Sequence, residues 1–320
     1  MYYPYFFSNQ YEIETVFQLK SQIDEGLITP IIEPYKRSPV ITTILSKIVQ
    51  SGSRFIFIVN PYQKRTQPKD QEDISIYVQS FLEQKFKQII FGIYINKDNI
   101  DFCNEFINNN SESQIAIFHR DIEDLDIKKV LILANSSNVS YNFFYGEATK
   151  YTYHKQFNVR GEKIVLEDPF KKQAKNSIYK EHADEKFYDL HSRYRELGYD
   201  GFGDYLTIGD TPSDLSSPNQ PSTVVIHYTY PDGIEHENIR IKRFFGDLNK
   251  EYEKIGDAIL KSMKEAESFI NGHVSSDCQP CEACLEMVKK ANEHKPYTML
   301  GELKKFSMLH HINMIIKLTN

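Results

Sequence analysis

Apolar residues recur along this chain in short blocks, each closed by polar or charged positions and followed by a stretch of helical spacing or a polar loop. Eight such blocks stand at residues 27–32, 54–59, 88–95, 114–118, 129–133, 163–166, 205–208 and 223–226. They are continuously apolar rather than alternating, as strands covered on both faces are, and parallel strands need intervening helices as crossovers. Helices are expected at 40–50, 73–86, 98–108, 179–196 and 247–271, while the connection at 121–126 is too short for one. Ahead of the first block, Ile13, Val16, Phe17, Lys20 and Ile23 fall at helical spacing. Residues 12–25 therefore read as an amphipathic opening helix that closes the bottom of the fold.

Eight strands with interleaved helices predict an α/β fold of the (β/α)8 TIM-barrel type. An open doubly wound sheet has the same periodicity, but no glycine-rich phosphate turn follows the first block. With 320 residues, the expected organisation is a barrel over 1–271 and a small helical, cysteine-containing appendage over 272–320. Phe306, Leu309, Ile312 and Ile316 give the appendage a closing helix. The stretch 198–205 reads as a tight helix-to-strand turn, and 209–221 as a polar loop rich in turn formers.

In such a barrel the chemistry sits at the C-terminal ends of the strands, so the polar residues that end each block matter most. Glu33, His119, Glu167 and His227 are candidate catalytic residues, able to hold a divalent metal and activate water in a hydrolase or phosphodiesterase acting on nucleotides or nucleic acid. Asn60, Arg120, Asn135 and Asp168 are candidate substrate-binding residues beside them. Polar residues also end strands for reasons unrelated to chemistry, and both histidines equally fit a hydrogen-bonded place in the core.

Cys278, Cys281 and Cys284 form a C-x2-C-x2-C array. Thiolates at that spacing bind zinc, ahead of an iron–sulfur cluster, and a structural zinc needs a fourth ligand. His310 is the first choice, with His273, His311 and Cys103 as the others. The competing reading is a helical face of half-buried thiols. The net charge of −6 carries no footprint for nucleic acid beyond a local patch, and no stretch reaches the ~20 apolar residues of a membrane span. The opening residues lack a secretory leader, so a cytoplasmic protein with no membrane contact is expected.

Four stretches taken together resemble a bacterial family of barrel proteins of unassigned activity that is similar to the phage "beta protein" family. They are Met1-Tyr2-Tyr3-Pro4-Tyr5-Phe6 with Gln10-Tyr11-Glu12, Pro30-Ile31-Ile32-Glu33-Pro34, Asp204-Tyr205-Leu206-Thr207-Ile208-Gly209, and Ser307-Met308-Leu309-His310-His311. The resemblance spans nearly the whole chain and brings no assigned catalytic roles. It implies a component of anti-phage defence, with the barrel as ligand sensor or regulatory partner of a small restriction-nuclease-like protein encoded nearby.

Overall fold

The computed structural model describes residues 1–34, 39–62, 68–83, 86–212, 222–233, 235–248, 254–273 and 280–320. Cys278 and most of the polar loop at 209–221 lie outside the described residues. The strands are β1 Tyr2–Phe7, β2 Ile31–Glu33, β3 Phe55–Ile58, β4 Ile89–Ile95, β5 Ile115–His119, β6 Val139–Tyr145, β7 Glu162–Glu167, β8 Asp184–Tyr188, β9 Gly201–Asp204, β10 Thr223–Asp232 and β11 Asn238–Asp247. The α-helices are α1 Gln10–Gln18, α2 Lys20–Asp24, α3 Pro39–Gln50, α4 Pro68–Glu83, α5 Ile100–Asn109, α6 Ile127–Ala134, α7 Tyr151–His154, α8 Leu190–Arg193, α9 Ile255–Gly272, α10 Glu282–Asn292 and α11 Leu300–Thr319.

Strands β1 to β7 and β9 close into one parallel barrel, with β1 paired to β2 on one side and to β9 on the other. Helices separate the successive strands, as the (β/α)8 expectation requires. The strand count of eight holds, but its membership differs. The run 129–133 is helix α6, because the Asp126 carboxylate accepts hydrogen bonds from the Lys128 and Lys129 amides as an N-cap, and Val130, Leu133 and Ala134 fall on one buried face. The strand that follows is 139–145, where Ser140 and Asn142 interrupt the continuous apolar run that marks the other blocks. The first barrel strand is the aromatic N-terminus, so block 27–32 supplies the second. The block at 205–208 lies just past β9, whose four residues come from the stretch expected to be a turn. Gly203 lies so close to β1 that an added Cβ would strike the Tyr3 carbonyl oxygen and stand 2.7 Å from Leu166 Cδ2.

Alternation decides which side chains fill the barrel. Tyr3, Tyr5 and Phe7 of β1 face inward with Tyr94, Phe118, Phe143 and Tyr205, and ring contacts join them, including a stacked Phe118–Phe143 pair 4.5 Å apart. The interior is a packed aromatic core rather than a channel.

The chain divides into two compact units, residues 1–167 with 193–205, and residues 168–192 with 206–320. Residues 168–192 and 206–271, expected as barrel, thus group with the cysteine segment. In the second unit β10, β11 and β8 form an antiparallel sheet. The run 223–226, expected as the eighth barrel strand, belongs to its ten-residue strand β10. Residues 179–196, expected as one helix, hold a 3-10 turn at Asn176–His182, then β8 and α8. Val224, Ile226 and Phe244 of the sheet share one buried cluster with Ile259, Met263 and Ala266 of α9, Cys284 and Met287 of α10, and Leu303 and Phe306 of α11. Among the described residues, no helix is long and apolar enough to cross a membrane.

Candidate functional site

Two groups of polar side chains stand out, one in each unit. In the barrel, Glu33 ends β2 on the inward face and is 1% exposed. A charged group so buried needs donors. Tyr5 OH supplies one at 2.5 Å from Glu33 Oε2 and lies 2.8 Å from Tyr94 OH, so Tyr94 donates to Tyr5 in turn. Burial, with the Glu33 carboxylate adding to it, holds the Tyr5 phenol far above its usual range, so the ring stays neutral and remains a donor. Tyr205 packs its ring 4.5 Å from that of Tyr5, and its buried hydroxyl has no hydrogen-bond partner of good geometry among the described residues. Above them the Arg120 guanidinium lies 3.8 Å from the Tyr62 ring centre and 4.5 Å from that of Tyr145, a double cation–π arrangement. Tyr62 OH donates to Asp121 at 3.2 Å.

Of the expected mouth residues, Glu33 and Arg120 thus come together. The others take different places. His119 alternates with the inward Phe118 and faces outward, stacked on Phe144 at 4.7 Å. Its Nε2 lies 3.1 Å from Asn142 Oδ1 and its Nδ1 3.0 Å from Tyr153 OH, which sets the Nε2–H tautomer. Burial depresses its pKa to about 4. Glu167 follows the inward Leu166 and so lies on the outward face, while its carbonyl accepts from the Tyr205 amide at 3.3 Å. Asn60 binds the Tyr94 backbone through both ends of its amide, at 2.8 Å each, and fastens β3 to β4. Asn135 is the C-cap of α6 and binds the Leu131 carbonyl.

Asp168 and His227 belong to the second unit. Asp168 accepts from the Phe170 and Asp210 amides, an ordinary loop role. His227 is on an antiparallel strand, edge-on to Phe170 and Tyr179 at 4.9 Å from each. Burial holds its pKa well below 6.5, with Arg243 and Lys304 adding to the effect.

The second group is Cys281, Cys284 and His310, whose ligand atoms all lie within 4.8 Å of one another. Cys281 is the N-cap of α10 and Cys284 sits in its first turn, so the helix turns both sulfurs to one side, 3.5 Å apart. His310 comes from α11, with Nδ1 3.1 Å from Cys284 Sγ and 3.7 Å from Cys281 Sγ. Its Nε2 lies 2.6 Å from the Thr229 carbonyl, so Nε2 carries the proton and the Nδ1 lone pair faces the thiols. That arrangement, with the far ring nitrogen held by a carbonyl, is how metal-ligating imidazoles are oriented. Tyr228 stacks on the ring at 4.0 Å. The hydrogen bond shared by the two sulfurs pushes the Cys281 thiol down and the Cys284 thiol up. This group can hold a metal ion.

The remaining ligand candidates lie elsewhere. His273 stacks on Phe269 and binds its carbonyl, His311 binds the Thr229 hydroxyl at 3.0 Å, and Cys103 is buried in the barrel unit near the Tyr94 carbonyl with its thiol pushed up to about 12. Sequence reasoning missed the tyrosines. Tyr3/Tyr5/Phe7 and Tyr141/Phe143/Tyr145 each repeat every second residue, the signal of one strand face. No protein-family model matches the sequence, and neither a curated protein nor a solved structure matches it.

Proposed function

We propose that this chain is a ligand-recognising regulatory protein of anti-phage defence, acting with a nuclease encoded nearby, and that its second unit is built around a structural zinc ion. The observation that supports regulation over hydrolysis is the divergence of the acid–base set. Glu33 faces the barrel interior, His119 faces outward with both ring nitrogens engaged, and His227 is on a strand of the antiparallel sheet. A metal-assisted hydrolase needs its ligands and base around one reacting atom. What gathers at the mouth instead is a recognition set, in which Arg120, held between the Tyr62 and Tyr145 rings, supplies the positive charge that attracts an anionic group.

Zinc is the metal whose chemistry fits. Zn–S bonds of about 2.3 Å and Zn–N bonds of about 2.0 Å at tetrahedral angles put sulfurs about 3.8 Å apart and sulfur about 3.5 Å from nitrogen. The separations here are 3.5 Å, 3.1 Å and 3.7 Å. Cys278, three residues before Cys281 and the remaining cysteine of the expected set, would complete the four ligands. The bound ion would hold α10 and α11 together, and through Thr229 the strand β10.

Purifying the chain with and without the neighbouring nuclease tests the regulatory reading. Co-elution, no hydrolysis of nucleotides or nucleic acid by the chain alone, and loss of phage protection with Arg120→Met are expected. Hydrolysis by the isolated chain that Glu33→Gln abolishes overturns it. Native mass spectrometry tests the metal: one zinc per chain is expected, absent from Cys281→Ser and from His310→Ala.

A further inference from the structure

We propose that the Cys281–Cys284 pair is a redox-active dithiol, in which a hydroperoxide oxidises Cys281, Cys284 resolves the product as a disulfide, and the metal is expelled; the last step rests on the zinc reading above. The geometry assigns the two sulfurs different parts. Cys281 stands at the N-cap of α10 and is the less buried residue of the two, whereas Cys284 is fully buried in the first turn, which makes Cys281 the sulfur that an oxidant attacks. The two sulfurs are 3.5 Å apart on adjoining positions of one helix end, and closing to the ~2.0 Å of a disulfide takes about 1.5 Å of side-chain movement. The positive end of the α10 dipole, at whose N-cap Cys281 stands, favours negative charge on the attacking sulfur.

The electron balance is complete with the hydroperoxide as sole oxidant. The Cys281 sulfur attacks the terminal peroxide oxygen, the O–O bond breaks, and its electron pair leaves with the alcohol or water fragment, which takes up a proton. The Cys281 sulfenic acid formed then meets the Cys284 sulfur. An S–S bond forms, the S–O bond breaks, and the hydroxyl leaves as water with a second proton. Two electrons pass from the sulfur pair to the peroxide. A disulfide sulfur is a poor zinc ligand, so both sulfur bonds from α10 to the ion are lost together, and His310 remains held by Thr229. Thiol reductants reverse the change.

Hydrogen peroxide added to the full chain as purified is the probe, read by peptide mass mapping and by a chromogenic zinc chelator. A disulfide linking Cys281 to Cys284, one zinc released per chain at the same rate, and recovery of both thiols with dithiothreitol are expected, with the buried Cys103 thiol unchanged as internal reference. In Cys284→Ser, a dimedone adduct should accumulate on Cys281, since the resolving sulfur is gone. If zinc is present and stays bound while both thiols survive peroxide, or if Cys281 passes to sulfinic acid without a disulfide, the redox proposal fails and the zinc reading stands. If the chain carries no metal yet forms the same disulfide, the zinc reading fails and the dithiol remains.

Discussion

His119 carries the clearest consequence of burial for a single residue. Its neutral ring is matched to Asn142 and Tyr153, and a second proton would have to enter an aromatic pocket of Phe144 and Phe157. The pKa in the folded protein, about 4, lies below the ordinary 6.5 of an unfolded chain. As pH falls the unfolded chain is therefore protonated first. This contribution to stability is complete above about 6.5 and is lost between there and about 4, amounting to roughly 3 kcal/mol by linkage. His227, also depressed, acts in the same direction. Denaturant midpoints should fall through this window, and His119→Phe should be less stable at pH 7 yet show a flatter profile. An unchanged slope in the variant would place the pH sensitivity elsewhere.

At the scale of the element, two glycines separate conformational freedom from space. Gly203 in β9 has the Tyr3 carbonyl where its Cβ would go, so the strand pair β1–β9 that closes the barrel can form only with no side chain there. Gly203→Ala should cost more than about 3 kcal/mol or leave the protein insoluble. Gly256, in the first turn of α9, has nothing within 4 Å of that position. Gly256→Ala should be neutral or stabilise by up to about 1 kcal/mol. Paired thermal melts check both, and equal effects would contradict the close approach at Gly203. The same element scale explains misread strands. The residues 129–133 are apolar enough for a buried strand, but the Asp126 cap decides for a helix, and β6 is instead the less apolar run beginning at Val139.

For the whole molecule, the two units have separate sources of stability. The barrel rests on its aromatic interior, whereas the Cys281–Cys284–His310 group, with the zinc proposed for it, would tie α10, α11 and β10 of the second unit. Chelation by 1,10-phenanthroline should therefore lower one of two calorimetric transitions by several degrees and leave the other in place, with recovery on adding zinc back. One transition moving as a whole would mean that the units unfold together.

The amino-acid order by itself determined the parallel α/β class, five of the barrel strands, and the grouping of Cys281 and Cys284 with a distant histidine, because these rest on periodicity and on short spacings that survive any packing. Glu33 was also legible, since a carboxylate ending an apolar run must find a donor wherever it lies. Only the tertiary structure decided which strands close the barrel, which of four residues stands with the cysteines, and that His119 and Glu167 face away from the interior that Glu33 enters. The physical reason is the two-residue period of a strand: a shift of one position moves a side chain to the opposite face, and that register is fixed by pairing with strands far away in sequence.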